Sequence, residues 1–400
     1  MNASQGTILP VTKPGLVMFA FVCLLVLVTR SNLLTLSVAL AQRPKQRISS
    51  LSCSNSTCVL GNACFSLQTA ELIAFGPHCR GLASTLSQFE VRSRGDRSPK
   101  LRCDDWTEPI PVESRAVLMT RYVEGQCGHT FADEVWTTYR LALQYSTPQE
   151  ISELGIGDLY IHRVKTLKCD DLFSALSRKV RTWPNSSAAI TSTKKCYKYI
   201  HFGTKGLSYN DGNQQGARPY LQSKSFSEQM LQFQALFYSF AGVKRQNSTS
   251  PDMVTILQKE KGDHLVKFAN MDEIVHWSKV AFPSHRIRIT TWSAVSTVEQ
   301  IRIMSQTSVL IGFSGSDILS AVFMKKGGNV IVFCRMFDHA SQRRSNEVSL
   351  WLQYLNYLTV TQFCDDDVRF VNGTGDVAGG TFYNSVNASL FQSVKSGLHK

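Results

Sequence analysis

Two apolar runs, residues 15–28 (GLVMFAFVCLLVLV) and 33–41 (LLTLSVALA), open the chain, interrupted only by Thr29-Arg30-Ser31-Asn32. The first is short for a membrane span, but together they reach the ~20 residues a crossing helix needs, with Arg30 extending toward a headgroup. Residues 42–50 are basic and polar and read as the start of a stem. Residues 53–102 are rich in Cys, Ser and Arg with weak periodicity, and 92–100 (RSRGDRSPK) reads as a loop. From residue 121 the pattern becomes regular. Phe131, Val135, Trp136 and Tyr139 recur at helical spacing, which predicts a helix over 130–144. Residues 159–164 (LYIHRV) read as a strand. Asp170-Asp171 and the following LFSALSRKV read as a helix with an acidic start and a basic end.

Strand and helix patterns alternate from Cys196 to Arg335. The spacing predicts strands at 197–202, 253–257, 265–268, 286–291, 309–313 and 329–333, and helices at 227–240, 271–280, 298–306 and 317–325. A further amphipathic helix is expected over 346–357. Short apolar strands alternating with helices argue for an α/β fold in which a parallel sheet is covered on both faces, so this half reads as Rossmann-like. Such a sheet takes its ligand at the carboxyl ends of its strands, where loops lead into helix N-termini.

With 400 residues, 43% of them hydrophobic, the chain is neither disordered nor collagen-like, and its length suits roughly two to three domains. A formal net charge of +13 admits nucleic acid, an anionic membrane surface or a phosphate-bearing ligand. The compartment narrows that choice. The apolar start reads as a signal-anchor, with a cleaved signal peptide ending at Ala39-Leu40-Ala41 as the alternative. Lys13 before the segment and Arg30, Arg43, Lys45 and Arg47 after it argue for the opposite orientation. Sequons at Asn55, Asn185, Asn247, Asn372 and Asn387 favour the lumen, and so do ten of the 11 cysteines, which lie beyond the segment. No CxxC pair occurs, which sets aside a zinc framework, and a luminal chain leaves no nucleic acid partner. The tripeptide Arg94-Gly95-Asp96 reads as accidental in so Arg-rich a stretch.

Three groups of residues are candidates for chemistry. His129 and Asp133 stand four apart at the start of a predicted helix. Asp133 there suits a general base toward a hydroxyl, with His129 orienting it, although acids and a capping histidine also suit any helix start. Gly312-Phe313-Ser314-Gly315-Ser316-Asp317 turns from a strand into a helix, and its small residues let backbone N–H groups approach a phosphate. An ordinary tight turn fits as well, and the G-x-S-x-G nucleophile elbow is not matched. Acidic pairs at Asp104-Asp105, Asp170-Asp171 and Asp365–Asp367 have the residue types for a divalent cation, but acidic turns and caps are commoner. Lys259, Lys261, Arg302, Lys325, Lys326 and Arg335 lie near predicted strand ends or helices, where a cation neutralises a diphosphate or simply faces solvent.

Taken in order over about 121–360, these pieces resemble glycosyltransferase family 61. The family's G-H-x-x-x-D/E helix is matched by Gly128, His129 and Asp133. Its Cys-aromatic strand ending in Gly is matched by Cys196-Tyr197 and Gly203. Its E-Q helix, D-V-L-I-G strand, H-G-A-G-L-x-N turn and G-x-x-V-I-E strand correspond to Glu299-Gln300, residues 308–312, 313–318 and 328–332. Ser314 stands where the family usually has His, Asp317 where it has Gly, and Val332 where it often has Glu.

The resemblance implies a GT-B architecture, two Rossmann-like domains facing a cleft, and the apolar start adds an N-terminal membrane anchor. The boundaries that follow are a cytoplasmic tail (1–14), the anchor or signal (15–41), a stem and Cys-rich region (42–105), an acceptor-side domain (106–195), a nucleotide-sugar domain (196–345) and a returning C-terminal helix and tail (346–400). It also implies inverting transfer of a sugar from a UDP-sugar to a hydroxyl of a glycan or glycoprotein in the ER or Golgi, without a metal. In that chemistry Asp133 is the base and His129 its neighbour, while Gly312, Ser314, Gly315, Ser316, Lys259 and Arg335 hold the donor. The departures at Ser314, Asp317 and Val332 admit another reading, a luminal carbohydrate-binding or scaffold protein that kept the fold and lost the donor.

Overall fold

Eight strands build the first sheet: β1 (Ser50–Ser54), β2 (Thr57–Ser66), β3 (Glu71–Phe75), β4 (Lys100–Asp104), β5 (Val112–Thr120), β6 (Asp158–His162), β7 (Lys179–Trp183) and β8 (Lys194–Phe202). The computed structural model describes residues 48–54, 57–67, 69, 71–76, 79–82, 100–104, 112–120, 130–162, 169–183, 194–202, 223–243, 252–259, 265–336, 344–345, 352–364, 367–374 and 381–397. The apolar segment 15–41 lies outside them. Among the described residues no helix is long and apolar enough to cross a membrane.

The strand order is β4-β3-β2-β8-β5-β6-β7, with β1 also on β2. The pairs β8-β5, β5-β6 and β6-β7 are parallel, and β2 joins antiparallel to β8. Two expectations change here. The weakly periodic stretch 53–102 supplies strands, because β2 is buried along nearly its whole length and shows no polar alternation. Strand β8, read as opening the C-terminal half, lies inside this first sheet. It pairs with β2 from Cys58↔Phe202 to Ser66↔Lys194, and a disulfide joins Cys64 to Cys196 across that register. Disulfides Cys53–Cys58 and Cys79–Cys103 pin the β1–β2 hairpin and the approach to β4.

Ten further strands follow: β9 (Met253–Leu257), β10 (Leu265–Phe268), β11 (Arg286–Thr290), β12 (Thr307–Phe313), β13 (Gly328–Phe333), β14 (Arg335–Met336), β15 (Arg344–Ser345), β16 (Leu358–Phe363), β17 (Val368–Thr374) and β18 (Thr381–Val386). Five of them form an all-parallel sheet in the order β11-β9-β12-β13-β16. Counted along the chain this is 2-1-3-4-5, a doubly wound order whose connections reverse direction between β9 and β12. Alternate residues serve opposite faces. Val254, Ile256, Val309, Ile311, Ile331 and Phe333 pack with the helices Met271–Ala281 and Phe391–Gly397. Met253, Leu257, Leu310, Val330 and Val332 pack with the helices Lys224–Phe240 and Thr297–Gln306.

The alternation expected over 253–333 is thus present element by element, except that the piece after β12 is a 3-10 helix, Ser316–Phe323. Residues 346–351 lie outside the described set. Beyond them, the region expected to be a helix and tail supplies β16, which extends the parallel sheet. It also supplies β17 and β18, which form a small sheet with β10. Their period-two patterns (VRFVNGT, TFYNSV) account for the strands.

One apolar core is shared by the two large sheets. It runs from Val117, Met119, Leu159 and Ile161 through Phe131, Trp136, Tyr139, Phe233 and Phe237 to Ile318, Phe323 and Val330. The rings meet mostly edge to face, Trp136 to Phe233 at 5.2 Å and Phe131 to Phe323 at 5.4 Å, an arrangement favoured by ring quadrupoles. Buried Gln234 donates to the Val322 and Met324 carbonyls at 2.6 and 2.7 Å, locking the long helix onto the 3-10 helix.

A candidate ligand site at the strand ends

The reversal point between β9 and β12 carries a pocket. Its described walls are Leu257, Lys259, Val266, Phe313, Ser314, Gly315, Asp317 and Arg335. Each wall follows from the topology: the carboxyl ends of β9 and β12, the neighbouring β10, and the residue two beyond the end of β13. Ser314 N–H donates to the Phe333 carbonyl at 2.8 Å, so the chain leaves β12 still tied to β13. Gly315 is extended, and a Cβ there would lie 3.8 Å from Nη1 of Arg335, so the absence of a side chain leaves the guanidinium beside bare backbone. Phe313 forms an apolar wall, its ring stacked on Phe268 at 4.2 Å.

Behind Arg335, the Cys334–Cys364 disulfide joins the ends of β13 and β16, and the Cys334 N–H donates to the Phe363 carbonyl at 2.9 Å. At the Asp317 wall, the Asp317 carbonyl accepts from Nε1 of Trp292 at 3.1 Å and from the Ser320 hydroxyl at 2.7 Å. Trp292 is itself placed by Gln300, whose amide donates to its carbonyl at 3.1 Å. Burial pushes the Asp317 carboxyl above the ordinary carboxylate range, and the positive charges of Lys259 and Arg335 oppose that rise.

The structure therefore brings together Lys259, Arg335, Ser314 and Gly315 from the sequence candidates. Gly312 and Ser316 are not among the described walls. Gly312 is a packing position, since a Cβ there would lie 3.2 Å from Cδ1 of Ile318 and 3.4 Å from Cβ of Leu257. Of the other cations, Lys325 pairs with Asp252, and Arg302 donates to the Ala241 carbonyl at 2.8 Å; Lys261 lies outside the described residues. Sequence reasoning missed Leu257 and Val266 as walls and Trp292 as a brace. The Glu299-Gln300 pair was the available signal for the brace.

Gly128 and His129 lie outside the described residues. Asp133 belongs to a π-helical stretch, Thr130–Val135, that runs directly into the α-helix Trp136–Ala142; its side chain is outside the described set. Single π-turns inside helices are frequent at functional sites. Phe131 of this stretch is the residue that packs on Phe323 of the 3-10 helix.

The acidic pairs have local roles. Asp104 pairs with Arg102 at 3.0 Å, and Asp170-Asp171 open a short 3-10 helix, Asp170–Leu172. Burial raises the Asp171 carboxyl above its ordinary range, opposed by a hydrogen bond with Thr297 from the other half. Asp105, Asp365 and Asp366 lie outside the described residues, among which no group of three or more His, Cys, Asp or Glu is arranged to hold a metal. Asn372 and Asn387 are exposed, while Asn55, Asn185 and Asn247 lie outside.

A family model described as Glycosyltransferase 61 matches residues 159–331, which supports that family for this chain and a transferase at the coarse level. No curated protein matches the chain.

Proposed function

We propose, with the glycosyltransferase 61 match as premise, that the chain is an inverting glycosyltransferase moving a sugar from a UDP-sugar to a hydroxyl of a glycan or glycoprotein. The observation that carries this reading is the pocket at the reversal point of the parallel sheet, where doubly wound folds take nucleotides. It joins two cations, Lys259 and Arg335, to the bare backbone of Gly315, a set suited to a diphosphate.

In the proposed reaction Asp133 accepts the proton of the acceptor hydroxyl, and that oxygen bonds to the anomeric carbon. The bond from that carbon to the β-phosphate oxygen breaks, and UDP leaves with the electron pair. Lys259 and Arg335 offset the charge developing on the departing diphosphate, a task that fixed cations perform without a metal. His129 orients the base.

A GT-B arrangement is favoured by how the halves meet. The loop after β6 reaches the start of the Thr297–Gln306 helix through Asp171 and Thr297, and the helix after β5 reaches the 3-10 helix after β12 through Phe131 and Phe323. The first of these contacts joins segments that follow β6 and β11 in the chain. Four described disulfides and a further bonded Cys169 suit an oxidising compartment, in line with a luminal domain behind a type II anchor in the ER or Golgi.

UDP release from a panel of UDP-sugars, with wild type beside Asp133→Asn, tests the reading. Turnover with one donor and a loss of at least ~100-fold in kcat for Asp133→Asn is expected. Well-folded protein that binds no nucleotide would return the chain to the carbohydrate-binding or scaffold reading.

A further inference from the structure

We infer that Asp317 is a specificity-determining residue of this pocket, its carboxylate accepting hydrogen bonds from a vicinal hydroxyl pair of the ligand. The inference rests on the donor-site reading above and concerns a position where the family usually has Gly. Three observations carry it. Asp317 lines the same pocket as Lys259 and Arg335, whose positive charges act on its carboxyl. Its main chain is held at the carbonyl by Trp292 and Ser320, which fixes the backbone from which the carboxylate projects. The carboxylate itself has no hydrogen bond and no ion pair within 4.0 Å among the described residues.

A partly buried carboxylate without a donor is costly, and what it lacks is N–H or O–H groups. Phosphate oxygens are only acceptors and are repelled by it, so they belong on the Lys259–Arg335 side. The hydroxyls of a nucleotide sugar, on the ribose or on the transferred sugar, are the donors such a ligand brings to the pocket. A carboxylate spans two neighbouring hydroxyls because both of its oxygens accept. Burial, which raises the Asp317 carboxyl, supports the same picture: the site disfavours the charge until a ligand supplies donors. The plain alternative is an acid that only stabilises the start of the 3-10 helix. That role moves thermal stability but not ligand discrimination.

The test is calorimetric titration of the full chain, purified from a secretory host, with UDP, 2′-deoxy-UDP and the UDP-sugar that turns over. A ribose contact predicts that wild type binds UDP at least about tenfold tighter than 2′-deoxy-UDP. A contact to the transferred sugar predicts instead no such difference, and a UDP-sugar bound at least about tenfold tighter than UDP. In either case Asp317→Ala erases the ratio, while Asp317→Asn, which keeps one acceptor oxygen, retains part of it. If Asp317→Ala binds every ligand tighter or weaker by one common factor, or if wild type shows neither preference, the inference is overturned and the donor site stands. A wild type that binds no nucleotide overturns the donor site and this inference together.

Discussion

His201 shows how one buried side chain ties stability to pH. It is 5% exposed, its ring stacks on Tyr145 at 3.9 Å, and Arg115 lies over the other half of the pair, 4.8 Å from the Tyr145 ring. Burial, with the charge of Arg115 as a smaller cause, pushes its pKa down to about 4. The imidazole is therefore neutral in the fold, whereas in the unfolded chain it takes a proton below pH ~6.5. Its contribution is whole above that pH and is lost as pH falls toward 4, by about 2–3 kcal/mol at pH 4.5. Urea unfolding at pH 7 and pH 4.5 checks this. His201→Phe, which keeps the stack, is expected to lose less stability on acidification than wild type by that amount, and equal losses would refute the assignment. At this scale the sequence marked Lys259, Arg335 and the 314–315 turn as candidates, because cations and small residues at a strand end suit a phosphate, and the structure places them around one pocket. The role proposed for Asp317 carried no such signal, since an acid at a helix start has an ordinary explanation.

Elements explain what residue patterns left open. Strands β9, β12 and β13 are buried along nearly their whole length and read as mainly apolar runs, so the parallel sheet was visible in the sequence. Strand β2 is as deeply buried, yet its partner β8 lies 132 residues away at the Cys64–Cys196 bridge, a pairing no local pattern reveals. That bridge also makes a prediction. By the chain-entropy account, closing so long a loop stabilises by about 5 kcal/mol, against about 2 kcal/mol for the Cys53–Cys58 bridge, with its separation of 5 residues. Paired Cys→Ser variants, compared by urea midpoint, are expected to fall in that order. An equal loss from both would mean that β2 and β8 hold their register without the bridge. The π-helical turn at Thr130–Val135 could not be read either, because Phe131, Val135, Trp136 and Tyr139 keep apolar spacing whether the first turn is wide or regular.

For the whole molecule, the shared core is the decisive feature. Both sheets contribute to it, and the helix that carries Asp133 and the 3-10 helix that starts at the pocket are packed together within it. The proposed base and the proposed donor pocket thus belong to elements that touch at Phe131 and Phe323, the contact on which the proposed transferase reading draws. The net charge of +13 fits an anionic donor without selecting it, since most of that charge lies elsewhere on the chain. The central claim is that the strand-end pocket holds a nucleotide diphosphate, and its most direct test is titration of UDP into wild type and Arg335→Ala, with melting temperatures recorded alongside. The account predicts that wild type binds UDP and that Arg335→Ala binds it at least about tenfold more weakly at an unchanged melting temperature. UDP binding that is indifferent to Arg335, or absent from folded wild type, would contradict it.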